Sequence, residues 1–122
     1  MSEIITAKHS PRIDNNIFYW YEHDTFAIQL EINLIAKETS EPIVVKDTDQ
    51  MIICFYKNNI PIHKFCYTNF NNGHKFVLDF SHEVSKKFTE GTYEYRIIYV
   101  GSNKTTIVAK NFAEVEKWVI QI

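Results

Sequence analysis

The chain has 122 residues, 45% of them hydrophobic and 15% aromatic, with only 3 Gly and 3 Pro. That length supports one domain whose core needs no disulfide or metal staple, and that composition excludes a disordered adaptor or a collagen-like repeat. With 13 basic against 15 acidic residues and a formal charge of −2, there is no general electrostatic pull toward nucleic acid or anionic membrane, so neither is expected as a partner.

Residues 1–9, Met-Ser-Glu-Ile-Ile-Thr-Ala-Lys-His, lack the charged start and apolar core of a signal peptide, and no apolar run approaches membrane-spanning length. The protein is expected to stay in the compartment where it is made. Residues 1–15 are read as an N-terminal arm and residues 16–122 as a single domain. Ile17-Phe-Tyr-Trp-Tyr21 is a β-prone run, and a polar turn at residues 22–25 separates it from residues 26–34. In that second run, large apolar residues alternate with Gln29, Glu31 and Asn33, the signature of a half-buried strand.

A polar connection over residues 36–50 holds a short expected strand at Ile43-Val-Val45 and a turn at residues 46–49. Residues 51–56 and 60–67 read as a hairpin around Lys57-Asn58-Asn59, because asparagine tolerates the left-handed backbone that tight hairpin turns demand. Phe76, Leu78 and Phe80 alternate in the next strand, residues 75–80. Ser81 then caps one helical turn, with Glu83 near its positive end and Lys86 and Lys87 near its negative end. Val84 and Phe88, four apart, point one way and plug the bottom of a β core.

Gly91 supplies a backbone geometry that a side chain resists, and Tyr93 stands two residues later to hydrogen-bond back across the corner. Tyr93, Tyr95, Ile97 and Tyr99 line one face of the following strand. Residues 101–103 turn into 105–109, residues 111–115 continue after an irregularity, and residues 118–122 close the chain. The sum is seven to nine strands, one short helical turn and no long helix. It predicts an all-β, immunoglobulin-like antiparallel β-sandwich, with an open barrel as the structural alternative.

Reactive constellations are weak. His9, His23, His63, His74 and His82 are scattered, with no pair at the close spacing of local zinc ligands, so no metal and no cofactor is expected. Cys54 and Cys66 fall in neighbouring strands, where a cross-strand disulfide is conceivable and two buried thiols are the preferred reading. Cys54 and His63 can face each other across the hairpin, but a packed thiol beside a partly exposed imidazole explains them. Asp47-Thr-Asp49 lacks the remaining ligands and the glycine of a calcium loop, so a solvated turn is expected. His23-Asp24 sits near no serine or cysteine in a nucleophile motif, and no catalytic residue and no enzymatic activity are expected.

Phe18, Tyr19, Trp20 and Tyr21 alternate sides, so both faces of one strand carry aromatic mass. Trp20, Tyr21 and the apolar residues Trp118, Val119, Ile120 and Ile122 are therefore the candidate protein-interface residues, against burial under a covering loop.

The succession Phe18-Tyr-Trp-Tyr-Glu-His-Asp24-Thr25-Phe26-Ala-Ile-Gln-Leu30, the cap and turn from Ser81 to Phe88, Glu90-Gly91-Thr-Tyr93-Glu-Tyr95-Arg-Ile97, and the closing segments Thr106-Ile-Val and Phe112-Ala-Glu-Val115 together resemble tailed-bacteriophage structural proteins. They look most like the immunoglobulin-like N-terminal domain of upper baseplate proteins. That family carries a Gly-Asp-Thr turn where this chain has His23-Asp24-Thr25, and a Pro-Gly-x-Tyr-x-Tyr corner where it has Glu90 in place of proline. The resemblance covers residues 16–116 and implies a virion structural protein, synthesised in the bacterial host cytoplasm. Because a baseplate protein usually continues into a helical or fibre-bearing region, the resemblance further implies a small tail, baseplate, neck or capsid accessory protein. Its partners would be other virion structural proteins in a symmetric multi-copy assembly, and its work to brace, decorate or attach. The alternative of another class is a carbohydrate-binding module whose exposed rings stack on sugars.

Overall fold

The computed structural model describes residues 11–36, 39–101 and 104–117. Eight strands and one helical turn succeed one another in these residues: β1 (Arg12–Asp14), β2 (Ile17–Tyr21), β3 (Phe26–Glu31), β4 (Gln50–Lys57), β5 (Ile60–Tyr67), β6 (Lys75–Phe80), α1 (His82–Ser85), β7 (Gly91–Gly101) and β8 (Lys104–Glu116). They form a six-stranded sheet in the order β1-β2-β8-β7-β4-β5, packed against the pair β3-β6. The all-β sandwich expected from the sequence is therefore present. Every pairing is antiparallel except one: β2 runs parallel to β8, with Phe18 opposite Ala113 and Trp20 opposite Val115. The expected all-antiparallel order fails at this pair, because β2 enters the large sheet beside its last strand before the chain crosses to the other layer.

Alternation sets which side of each strand is buried. In β6 the exposed and buried residues alternate strictly, and Phe76, Leu78 and Phe80 pair across from Leu30, Ile28 and Phe26 of β3. These six side chains form the small sheet's contribution to the core. The large sheet answers with Phe18, Trp20, Ile53, Phe55, Tyr93, Tyr95, Ile97 and Val115, each less than a tenth exposed. Trp20 sits at the centre of an aromatic cluster, with ring centroids 4.9 Å from Phe80, 5.4 Å from Phe88 and 5.5 Å from Phe26.

Asparagine pairs make the two-residue hairpins of β1–β2 and β4–β5. Asn58 and Asn59 have φ of 52° and 65° between β4 and β5, as the sequence predicts. Asn15 and Asn16, with φ of 51° and 64°, do the same between β1 and β2, so residues 12–14 belong to an edge strand rather than to an arm.

A second difference lies at residues 43–45, which form no strand. The chain makes only an isolated bridge between Ile35 and Pro42 there. The Asn72 side chain takes over the ladder's role: its amide nitrogen donates to the carbonyls of Leu34 (2.7 Å) and Ile43 (3.2 Å), and its Oδ1 accepts from the Leu34 N–H.

The corner is built as expected. Ser81 Oγ accepts from the Val84 N–H at 3.4 Å, Glu83 pairs with Lys86 at 2.7 Å, and Phe88 is 1% exposed. Tyr93 donates its hydroxyl to the Thr89 carbonyl at 2.8 Å, which ties β7 to the loop before it. Gly91 has φ of +144°, and a Cβ there would meet Lys57 Nζ at 3.0 Å. Lys57 is held in place by the Glu90 carbonyl at 3.1 Å and lies 5.1 Å from the Tyr93 ring centroid.

Candidate functional site

A two-stranded sheet covers only one face of a six-stranded one, and among the described residues no element covers the other face of the large sheet. Register determines what stands on it. Cys66, Ile52, Ile98 and Ile107 align across β5, β4, β7 and β8 into one apolar row. The next row is Lys64, Cys54, Arg96 and Lys110, and the third is Pro61, Tyr56, Glu94 and Phe112. Further toward β1, Tyr19 lies under the Arg12 guanidinium at 4.2 Å from its ring centroid. Ile107 is 57% exposed and Phe112 51%, while Ile52 and Ile98 are half-buried by their neighbours.

Glu94 organises the charge on this face. Its Oε2 accepts from Arg96 at 2.6 and 2.9 Å, and its Oε1 lies 3.1 Å from Lys110 Nζ. Residues two apart on a strand share a face, which is why Glu94 and Arg96 meet. The Arg96 hydrogen bonds, then those of Lys110, hold the Glu94 carboxyl below its ordinary range, and Glu94 in turn raises Arg96. Arg96 also lies over the Tyr56 ring at 4.3 Å, whose hydroxyl is pushed up by the Cys54 thiol beside it and by burial. Two of the three cations of the middle row thus share one carboxylate. Lys64 makes no ion pair among the described residues.

Where β4 and β5 meet the loop after α1, the face sinks into a hollow of about 530 Å³ lined by Ile52, Pro61, Ile62, Ile98, Lys64 and Lys87. His63 stands at its margin, with its Nδ1 3.1 Å from Lys87 Nζ and its ring 4.7 Å from that of Phe65. Burial and then the Lys87 charge lower the His63 imidazole below its ordinary value.

The interface residues named from the sequence divide three ways. Trp20 is fully buried in the core and offers no surface, a correction that follows from β2 pointing Phe18 and Trp20 inward. Tyr21 points outward and is half-buried at the end of β2. Trp118, Val119, Ile120 and Ile122 lie outside the described residues.

Both thiols are free. Cys54 is buried but Cys66 is exposed, against the expectation of two buried cysteines. Their strands pair Cys54 with Lys64 and Cys66 with Ile52, so the two sulfurs are diagonal rather than opposite, beyond disulfide reach. The same register pairs His63 with Phe55 rather than with Cys54, although the His63 and Cys54 side chains both border the hollow.

The polar turns have structural employment. Asp24 accepts from the Tyr21 N–H at 3.3 Å, and its neighbour His23 is exposed with φ of 70°. Asp49 is 2% exposed, not solvated as expected: one carboxylate oxygen accepts from the Lys46 N–H at 3.0 Å and from the Tyr99 hydroxyl. Those bonds, Lys46 first, hold the Asp49 carboxyl below its ordinary value, while burial and Asp49 push Tyr99 up to about 12. No group of three metal-ligating side chains gathers among the described residues.

Sequence reasoning overlooked the apolar row. The signal was present, since residues 51–56 are apolar at six successive positions and Ile97 and Ile98 are adjacent, which is what a strand with two apolar faces looks like. Compared with known protein families, curated proteins and solved structures, the chain matches none.

Proposed function

We propose that this chain is a non-enzymatic structural component of a bacteriophage virion, at the tail, the baseplate or an accessory position on the capsid. It docks on repeated virion subunits through the outer face of its large sheet. The observation that carries the docking reading is the row Cys66-Ile52-Ile98-Ile107, apolar surface that no other element of the described chain covers. The resemblance of the strand signals and the Gly91-Tyr93 corner to upper baseplate domains supports the setting. In a symmetric particle each copy repeats the same modest contact, and multivalency makes the sum tight.

The test is recovery of the chain in purified phage particles, followed by the Ile98→Asp variant. Expected is wild-type protein at fixed stoichiometry in particles, and loss of the folded variant from them. Absence of the wild-type chain from particles overturns the proposal, and so does saturable binding to a glycan array that particle components do not compete for.

A further inference from the structure

The hollow beside β5 differs from the neighbouring part of the outer face in having no carboxylate. Across the sheet Arg96 and Lys110 both pair with Glu94. The residues lining the hollow include Lys64 and Lys87 but no carboxylate. Lys64 has no ion pair among the described residues, and the close polar neighbour of Lys87 is the neutral His63 ring. The His63 imidazole is lowered by burial first and by the Lys87 charge second. Around these ammonium groups the wall is largely apolar, from Ile52, Cys54, Pro61, Ile62 and Ile98, with the Tyr56 side chain beside them. At about 530 Å³ the space takes one large side chain and its neighbours.

The second feature is backbone. β5 ends the six-stranded sheet and has no strand on its outer side among the described residues. At its far end the Tyr67 hydroxyl donates to the Val77 carbonyl of β6 at 2.6 Å, which closes the seam between the two sheets there. The Ile60 end stays open, with Ile60 itself 62% exposed. A sheet edge of this kind pairs with any extended chain whose side chains fit, and in an extended chain every second side chain points the same way.

We propose that the hollow receives an extended acidic and apolar segment of a partner protein laid along β5. One large apolar side chain fills the hollow, and carboxylates two residues to either side meet Lys64 and Lys87. The inference rests on the docking reading above and names the chemistry of the partner at one end of the same face.

The experiment uses the full chain and three acetylated, amidated peptides: Glu-Thr-Leu-Thr-Glu, its lysine counterpart, and the version with serine for leucine. Isoleucine methyl resonances are followed by NMR. Expected is saturable binding of the first peptide alone, with shifts at Ile52, Ile62 and Ile98, weakened in 1 M salt. The double variant Lys64→Glu, Lys87→Glu, shown folded by its own spectrum, loses at least about tenfold in affinity, since both contacts change from attraction to repulsion. Shifts elsewhere, no shifts at all, or binding indifferent to charge reversal overturn the proposal. If the double variant instead fails to fold, the salt response and the lysine peptide decide the matter on wild-type protein. In particles, release by Ile98→Asp with full retention of the double variant leaves the docking reading standing and removes this one. Absence of the wild-type chain from particles, with charge-dependent peptide binding intact, does the reverse to the virion setting.

Discussion

The two faces of the large sheet are built from adjacent residues of the same strands and have opposite fates. Ile97 and Ile98 are neighbours in β7, yet Ile97 is 7% exposed beneath the small sheet while Ile98 stands in the uncovered row. Ile53 and Ile52 repeat the contrast in β4. Hydrophobicity of a residue therefore does not say whether it is buried in the core or stands on the open face; the side of the pleat does. The comparison predicts that mutations on the inner face cost far more stability than mutations on the outer face.

The sharpest way to break that comparison is at the centre of the inner face. Trp20→Ala removes the ring that touches Phe26, Phe80 and Phe88, and is expected to cost about 3–5 kcal/mol in urea unfolding. Trp20→Phe should cost less than about half of that, because the Trp20 Nε1–H is buried without a partner among the described residues and its removal relieves an unmade hydrogen bond. The matched pair comes next. Ile97→Ala is expected to cost about 2–5 kcal/mol and Ile98→Ala about 1 kcal/mol or less. Equal losses at the two positions would mean that the outer face is also covered, and the docking surface would disappear with the contrast.

What the sequence makes legible divides along the same line. Local signals were readable: residues 75–80 alternate, Ser81 caps, and Gly91 and Tyr93 make the corner, because each depends on neighbours within a few positions. What depends on long-range register was not. Nothing near Phe18 says that it runs parallel to Ala113, and nothing near Cys66 says that Ile52, Ile98 and Ile107 continue its row. Asp49 misled for the same reason, since its burial partner Tyr99 is 50 positions away. Asn72 was invisible as the residue that occupies the backbone of residues 34 and 43.

Gly91→Ala tests whether the corner, rather than either face, sets the geometry of β7. A side chain at φ of +144° is strained and also meets Lys57, so a loss of about 1–3 kcal/mol is expected. Tyr93→Phe, which removes one hydroxyl hydrogen bond, should cost about 1 kcal/mol. If Gly91→Ala costs no more than Tyr93→Phe, the corner is not the constraint that its geometry implies.

The inner face ends in phenols, and pH probes them together. Burial pushes Tyr67 up to about 12, and burial with Asp49 does the same for Tyr99. A raised value means that the folded state holds the proton more tightly than the unfolded chain does. The contribution is therefore complete below pH 10 and is lost as pH rises from 10 toward 12. Asp49 works in the other direction. Its lowered carboxyl contributes above its ordinary value of 3.8, and that contribution fades as pH falls through the folded value. Thermal unfolding across roughly pH 2 to 12 checks both limbs, and Tyr99→Phe should flatten part of each.

The smallest expected effect belongs to the turn between β2 and β3, where neither face is involved. His23 is exposed and has φ of 70°. A left-handed backbone costs an ordinary residue about 1–2 kcal/mol. Glycine removes that cost but gives back about 0.5–1 kcal/mol through the extra freedom of the unfolded chain. The difference favours His23→Gly by up to about 1 kcal/mol, a rise of roughly 2–4 °C in Tm for a domain of this size. Asn16→Gly at φ of 64° should gain less, since asparagine already tolerates the conformation. A fall in Tm for His23→Gly would show that the imidazole makes a contact that outweighs the strain, and would take the turn out of the class of positions governed by backbone alone.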